Sequence, residues 1–147
     1  MKIIIGSDHG GYNLKNAIVK YLSSKEISFE DVGCFSTDSV NYPIIAKEVC
    51  TKVVNNDDSL GILVCGTGIG MSIYANKIKG IRAAHCTDTF SARLTRQHNN
   101  SNILCLGERI TGIGLAIDIV EEWLNASFEG GRHQVRVDMI NELDNVR

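Results

Sequence analysis

The sequence predicts an α/β fold in three layers, α/β/α, with a five-stranded parallel sheet and an extra C-terminal helix. Five short apolar runs are each bounded by polar or glycine-containing segments, as buried strands of a parallel sheet are. Each run is followed by a segment whose apolar residues recur at helical spacing. Strand and helix thus alternate without a linker or an internal repeat, and a chain of 147 residues fits a single domain, residues 1–147.

The five predicted strands end in polar loops. The strands are residues 2–6, 27–32, 62–64, 81–85 and 103–106. In an open parallel sheet the ligand binds outside the carboxyl ends of the strands. The loops that follow the strands therefore hold the candidate functional residues, and they span residues 7–11, 34–42, 65–70, 86–89 and 107–109.

The first two helices are placed by apolar spacing and by proline. The first helix buries an apolar residue at every fourth position, namely Leu14, Ile18 and Leu22. Three lysines of the same region are expected on the outside: Lys15, Lys20 and Lys25. Pro43, the single proline of the chain, favours the first turn of the second helix.

The later helices are placed by the spacing of their apolar residues and, for the fourth, by a capping residue. Ile73 and Ile78 continue the third helix as an amphipathic stretch, and Thr87 or Asp88 is placed to cap the fourth, which runs to about residue 97. The apolar residues of the fifth helix are Ile113, Ile117, Val120 and Leu124, with Trp123 beside them. The extra helix runs from residue 132 to about residue 145.

Composition excludes several classes of partner. The formal net charge is −2 and no basic run is present, which argues against nucleic acid and against an anionic membrane surface. No apolar run approaches the roughly 20 residues of a membrane span, and the N-terminus does not have the pattern of a signal peptide. Five cysteines without a pair spaced by two residues predict free thiols in a reducing, cytoplasmic compartment and no metal site.

A glycine-rich loop after the third strand is the strongest candidate for chemistry. Cys65 ends the strand, and Gly66, Gly68 and Gly70 alternate with other residues before the next helix starts. Such a loop directs backbone N–H groups at an anion, and the thiolate of a cysteine is favoured beside them. Cys65 can therefore act as a general base that faces donors for an enolate oxygen. The alternative is that Cys65 is a small buried apolar residue.

Residues at three further places in the sequence are candidates for ligand binding or acid–base chemistry. Asp8 and His9 follow the first strand, where a carboxylate binds hydroxyls and an imidazole binds phosphate; Asp8 as a helix cap is the alternative. His98 ends the fourth helix and is either an acid–base group or a solvated histidine. Arg132 and Arg136 share one helical face, which suits a phosphate or a solvated surface.

These motifs together resemble the type B ribose-5-phosphate isomerases and the related galactose-6-phosphate isomerase subunits. The resemblance covers nearly the whole chain in order. The motifs that carry it are GSDHGG at residues 6–11, CGTGIG at 65–70, ANK at 75–77, GIRAA at 80–84, SAR at 91–93, HN at 98–99, LGER at 106–109 and FEGGRH at 128–133.

The resemblance implies a Rossmann-like fold and a homodimer or dimer of dimers with shared active sites. It also implies reversible aldose–ketose isomerisation of a phosphorylated sugar through an enediolate, without metal or organic cofactor. Cys65 then moves the proton, and Met71 stands where another branch of the family has a carboxylate base. The resemblance further implies that Thr67 and the amides of Gly66, Gly68 and Gly70 stabilise the enediolate, and that His98 opens the sugar ring. It implies that Asp8, Asn99 and Tyr42 contact the sugar. The implied phosphate ligands are His9, Arg109, Arg132 and Arg136.

Ribose 5-phosphate and ribulose 5-phosphate, of the non-oxidative pentose phosphate pathway, are the expected substrate pair. A six-carbon phosphosugar such as allose 6-phosphate or galactose 6-phosphate is the alternative, because phosphate, carbonyl and enediolate are common to all of them. A non-catalytic phosphosugar-binding module is a third hypothesis, since a glycine loop and an arginine pair suit binding alone.

Overall fold

A computed structural model describes residues 1–146 and contains, within that range, five strands, six α-helices and two 3-10 turns. Arg147, the last residue of the predicted domain, lies outside the described residues. The strands are β1 (Lys2–Ser7), β2 (Phe29–Asp31), β3 (Ser59–Cys65), β4 (Ala83–His85) and β5 (Ile103–Gly107). The helices are α1 (Tyr12–Ser24), α2 (Tyr42–Val54), α3 (Ile69–Ala75), α4 (Thr89–Asn99), α5 (Ile113–Asn125) and α6 (Arg132–Glu142). The 3-10 turns are His9–Gly11 and Leu143–Asn145.

All strand pairs are parallel and the strand order is β2-β1-β3-β5-β4. This confirms the predicted α/β class with a five-stranded parallel sheet. The order reverses at β1, because β2 and β3 lie on opposite sides of it. Such a reversal opens a crevice between the loops that leave the two neighbouring strands. The crevice of this chain therefore lies at the carboxyl ends of β1 and β3.

Each face of the sheet carries its own hydrophobic core, because successive strand residues point to opposite faces. Ile3 and Ile5 pack toward α1 and α5, whereas Ile4 packs toward α2 and α3. The same alternation in β3 sends Val64 to the first core and Cys65 to the second. The Rossmann-like layering of helix, sheet and helix follows from this pattern.

The two edge strands are shorter than the sequence predicts. β2 contains three residues and β4 also contains three. At the start of β4, the Arg82 amide donates to the side-chain oxygen of Asn102 at 2.8 Å. A side chain therefore replaces the strand ladder there, which a hydrophobicity pattern does not reveal.

Helices α3 and α5 bury faces that differ from those predicted. Helix α3 ends at Ala75 and buries Met71 and Ala75, whereas Ile73 is 58% exposed. Helix α5 buries Trp123, whose Nε1–H donates to the Ser101 hydroxyl at 2.9 Å, and Ile113 is 57% exposed. Burial of the large indole fixes the rotation of α5 more strongly than the smaller side chains do.

The prediction that Lys15 faces solvent is wrong. Lys15 is 1% exposed, and its ammonium donates to Asp31 at 2.6 Å and to the Cys34 carbonyl at 2.9 Å. The charge is neutralised by Asp31 at the end of β2. Lys20 and Lys25 are exposed as expected.

Helix α6 is attached to the body at both ends. At its C-terminal end, the Gly80 amide donates to Asp144 at 2.8 Å and Arg82 donates to Asn141 at 3.3 Å. Three apolar side chains of the helix remain exposed: Val135, Met139 and Ile140. Among residues 1–146, no helix has the length and apolarity needed to cross a membrane.

The buried Lys15–Asp31 pair generates a stability prediction. Asp31→Ala leaves the Lys15 ammonium buried without its counter-charge, so we expect the free energy of unfolding to fall by about 3 kcal/mol. Urea denaturation at fixed protein concentration measures the change. Glu122→Ala is the control, since its partner Arg93 lies at 3.3 Å with both side chains over 40% exposed, and it should cost less than about 1 kcal/mol. Equal costs for the two variants would contradict this assignment of the buried pair.

Candidate active site

The candidate site lies at the carboxyl edge of the sheet, where backbone hydrogen bonds hold three loops together. The Asp8 amide donates to the Val64 carbonyl at 3.1 Å, which joins the loop after β1 to the end of β3. On the other side of β3, the Glu108 amide donates to the Cys65 carbonyl at 2.9 Å and the Arg109 amide to the Gly66 carbonyl at 3.0 Å. The loops after β1, β3 and β5 therefore meet at the crevice where a ligand is expected.

Cys65 lies at the base of this crevice. It is the last residue of β3, pairs with Gly107 at the end of β5, and is 5% exposed. Its Sγ accepts a hydrogen bond from the Gly68 amide at 3.1 Å. The sulfur is therefore held by a backbone donor of the glycine loop, at the edge of the second core.

Two glycines allow the loop to lie against β4 and β5. Gly68 has φ +78°, and a Cβ on it would lie 2.6 Å from Cδ2 of His85. A Cβ on Gly107 would lie 2.5 Å from the carbonyl carbon of Thr67. Neither contact is tolerated, so both positions require glycine if the loop is to keep this path.

Thr67 is exposed at the top of the loop. Its Oγ1 accepts a hydrogen bond from the Ile69 amide at 3.3 Å, which leaves the hydroxyl hydrogen available to a ligand. The amides of the loop and this hydroxyl form a set of donors next to the Cys65 sulfur. Such a set stabilises negative charge that develops on a ligand oxygen.

Asp8 presents a buried acceptor to the crevice. It is 8% exposed, and within residues 1–146 its Oδ1 has no hydrogen-bond partner. Burial raises the pKa of the Asp8 carboxyl, and the nearby His9, the amides of Gly10 and Gly11, and Arg109 partly oppose the rise. A buried oxygen without a partner is costly, and a hydroxyl of a ligand would satisfy it.

His9 has one ring nitrogen engaged and one available. The Val40 amide donates to Nδ1 of His9 at 3.3 Å. The neutral ring therefore carries its proton on Nε2, which can donate to an anion.

Arg109 and Tyr42 complete the part of the site that belongs to the carboxyl edge. The guanidinium of Arg109 lies over Gly66, 3.4 Å from where a Cβ would stand if that residue had one. The ring of Tyr42 lies over Gly70 in the same way, with its Cζ 3.0 Å from the position of a Cβ on Gly70. The structure thus brings together nine of the predicted site residues: Asp8, His9, Tyr42, Cys65, Gly66, Thr67, Gly68, Gly70 and Arg109.

The other four predicted residues form a second group at the junction of α4 and α6. His98 and Asn99 end α4, and Arg132 and Arg136 begin α6. The ring of His98 stacks on that of His133 at 4.2 Å, with an angle of 5° between the rings. Both arginines are exposed, and within the described chain neither guanidinium has a hydrogen bond or ion pair.

The two groups lie at opposite ends of the sheet in one chain. Helix α4 starts after the carboxyl end of β4 and runs back, so that residues 100–102 lead into the first residue of β5. Cys65 pairs with the last residue of β5, and a strand of five residues spans roughly 16 Å. His98 of a chain is therefore too far from Cys65 of the same chain to act on the same sugar carbon.

Several residues of these groups were not singled out from the sequence. Glu108 accepts from the Leu14 amide at 2.9 Å and thereby holds the first turn of α1 beside the crevice. His85 lies under Gly68, and within residues 1–146 its Nε2 is buried without a partner. Glu129 and His133 surround His98. The contact of Glu108 with the first turn of α1 and the position of His85 beneath the glycine loop both depend on tertiary structure, which residue spacing in the sequence does not encode.

Three other cysteines are buried in the cores on the two faces of the sheet, namely Cys50, Cys86 and Cys105. Burial raises the pKa of Cys50 to about 12 and the pKa of Cys86 to about 11, and it raises the pKa of Cys105 well above its ordinary value. These three thiols stay protonated at neutral pH and are chemically inert. Cys65 lies at the end of its strand, next to the loop donors, and is the buried cysteine with access to the crevice.

An α/β chain with a thiol, a carboxylate and an imidazole around a glycine loop has the site of an enzyme that moves protons on an anionic ligand. The chain belongs to the Ribose/Galactose Isomerase family, which it matches over residues 3–140. This confirms the resemblance inferred from the motifs.

Individual relatives match over almost their whole length. The chain is 45% identical over 146 residues to ribose-5-phosphate isomerase B of Escherichia coli, covering 99% of this chain and 98% of that one. The structure of ribose-5-phosphate isomerase B from Clostridium thermocellum matches with a TM-score of 0.97 and 50% identity over 99% of each chain. That of Mycoplasma genitalium, solved with bound ribulose-5-phosphate, matches with a TM-score of 0.95 and 42% identity over 99% of this chain and 97% of that one.

The buried carboxyl of Asp8 generates a pH-dependent prediction. Because its pKa is raised in the folded state, the ionised form destabilises the fold at neutral pH, whereas below the unfolded pKa of about 3.9 the group is neutral in both states. Asp8→Asn should therefore raise the urea midpoint at pH 7, and the gain should shrink as the pH falls toward 4. Asp57→Asn, on an exposed loop, is the control and should leave the midpoint unchanged. A midpoint for Asp8→Asn that is lower at pH 7 would show that the carboxylate is stabilised by contacts within the chain.

Proposed function

We propose that the protein interconverts D-ribose 5-phosphate and D-ribulose 5-phosphate through an enediolate. The observation that carries the proposal is the position of Cys65, which lies at the crevice of the sheet with its sulfur among the donors of the glycine loop. The relatives named ribose-5-phosphate isomerase B, one of them with ribulose-5-phosphate bound, support the same substrate pair.

The chemistry requires one base and a set of donors. In the open-chain aldose, the Cys65 thiolate removes the proton from C2, and the electron pair of that C–H bond forms the C1–C2 double bond while the carbonyl oxygen takes up negative charge. The same thiol then returns the proton to C1, while the hydroxyl proton of O2 passes to O1, so that C1 carries a hydroxyl and the C2–O bond becomes the ketone carbonyl. Thr67 and the amides of Gly66, Gly68 and Gly70 stabilise the enediolate oxygen. No atom is gained or lost, so no cofactor is needed.

The remaining groups bind the sugar and its phosphate. The partnerless Oδ1 of Asp8 accepts from a sugar hydroxyl, and Tyr42 borders the sugar beside Gly70. His9 and Arg109 supply donors from the loops after β1 and β5. Arg132 and Arg136, exposed and without ion pairs among residues 1–146, bind the phosphate, and His98 opens the ring with Asn99 beside it.

We propose that each site is built from two chains in a homodimer, alone or within a dimer of dimers. The two groups of site residues in one chain lie roughly a strand length apart, so the second group must come from a partner to reach the first. Apolar side chains exposed beside both groups support a self-association surface: Ile69 and Ile73 on α3, and Val135, Met139 and Ile140 on α6.

We further place the enzyme in the cytoplasm, in the non-oxidative branch of the pentose phosphate pathway. Support comes from the five free cysteines, one of which must remain a thiol to act as base.

Replacement of the base tests the reaction. Cys65→Ala should bind ribose 5-phosphate with near-normal affinity and lower kcat by ~10²-fold or more, the usual scale for loss of a general base. A coupled assay with ribose 5-phosphate, allose 6-phosphate and galactose 6-phosphate measures both the loss of turnover and the sugar preference. Cys34→Ala, which changes a half-buried cysteine in the loop after β2, is the matched control and should retain activity. Full turnover by Cys65→Ala would refute the assigned base.

Mixed dimers test the shared site. When Cys65→Ala and Arg132→Ala chains are reassembled together, half of the dimers are hybrids and each hybrid contains one intact site, so about a quarter of wild-type activity should return. Cys65→Ala mixed with Asp8→Ala is the control, because both residues lie in the same group and no intact site forms. Absence of activity in verified Cys65/Arg132 hybrids would place all groups on one chain.

A further inference from the structure

Three side chains with metal-binding atoms converge at the junction of α4 and α6. Nε2 of His98 lies 3.8 Å from Oε2 of Glu129, and Nε2 of His133 lies 3.7 Å from the same oxygen. One ligand atom from each residue lies within 4.8 Å of the others. We refer to His98, Glu129 and His133 as the junction cluster.

The backbone holds the junction cluster in place. The Glu129 amide donates to the Gln97 carbonyl at 3.0 Å, which ties Glu129 to the last turn of α4. Gly130 and Gly131 have φ +64° and +55°, and the His133 amide donates to the Gly130 carbonyl at 3.0 Å. The chain therefore turns sharply between Glu129 and His133, and both side chains face His98.

The separations suit a small divalent ion. A point equidistant from three atoms with these separations lies roughly 2.2–2.4 Å from each, compared with about 2.0–2.2 Å for zinc bonded to imidazole nitrogen or carboxylate oxygen. A contraction of a few tenths of an ångström closes the difference. Each imidazole binds a metal in its own ring plane, so binding requires the parallel stack to open by rotation of the less buried His98 ring.

The ligand set selects among metals. Two imidazoles and one carboxylate are a common set for zinc, whereas calcium and magnesium prefer oxygen ligands throughout. The Glu129 side chain is 50% exposed and that of His98 is 34% exposed, so water can occupy a fourth position. Arg132 and Arg136 lie close to His133 and oppose a cation, which limits the affinity without removing a ligand.

We propose that the junction cluster binds Zn²⁺, and that the bound ion inhibits the enzyme by occupying the nitrogen with which His98 would open the sugar ring. The inhibition rests on the proposed function, whereas the binding does not. Because Glu129 and His133 both contact His98, inhibition by zinc is measured for each variant relative to its own zinc-free rate.

The test uses the full chain, freed of metal with a chelator, and measures Zn²⁺ binding by competition with a chromophoric chelator. We expect Glu129→Gln and His133→Gln to weaken binding by at least ~10-fold, as loss of one ligand does. Glu142→Gln, on the same helix but away from the cluster, should bind as wild type does. Unchanged binding by both cluster variants, or no binding by wild type, overturns the site.

Activity then tests inhibition and excludes the thiol of Cys65 as the target. The rate of each protein with chelator present is its own reference; with added Zn²⁺, wild type should lose activity relative to that rate, whereas Glu129→Gln should keep its zinc-free rate. Cys65→Ala should still bind Zn²⁺. Equal inhibition of wild type and Glu129→Gln overturns the inhibitory role. Cluster-dependent binding in a protein without isomerase activity would refute the proposed function and leave the metal site standing.

Discussion

The parallel pairing of β3 with both β1 and β5 is the constraint on which the site depends. It places the last residue of β3, Cys65, opposite Gly107 and one residue beyond the carbonyl that binds the Asp8 amide. A shift of one residue in this register would turn Cys65 to the other face of the sheet and into the core formed by α1 and α5. Cys65, the carboxylate of Asp8 and the guanidinium of Arg109 come together because three strands end at the same level.

The same topology explains why one chain holds only part of the proposed site. Each helix that follows a strand runs back to the amino edge, so residues at the end of α4 are carried away from the residues at its start. His98, Arg132 and Arg136 meet there with exposed apolar residues of α6. Dimer formation would join the two edges, and substrate binding would then depend on assembly. The junction cluster lies within the part that the partner would supply, so a metal bound there would act on the neighbouring active site.

The sequence predicted five strands, their parallel pairing and the loops of the carboxyl edge, because buried strands and glycine loops leave local patterns. It did not predict the burial of Lys15, since its partner Asp31 comes from another element and only the fold brings them together. The rotation of α3 and α5 was also missed, because the packing of Met71 and Trp123 against the sheet decides it. For the site, the motifs supplied candidate residues but not their division into two groups, which follows from strand order and helix direction.

The most direct measurement is a crystal structure of the protein with ribulose 5-phosphate bound. We expect Cys65 Sγ at about 3–3.5 Å from both C1 and C2, with Thr67 on the adjacent oxygen. We also expect the phosphate to contact Arg132 and Arg136 of one chain while the sugar contacts Asp8 and Cys65 of the other. A ligand bound entirely by one chain, or a sulfur directed away from C1 and C2, would contradict the proposed site.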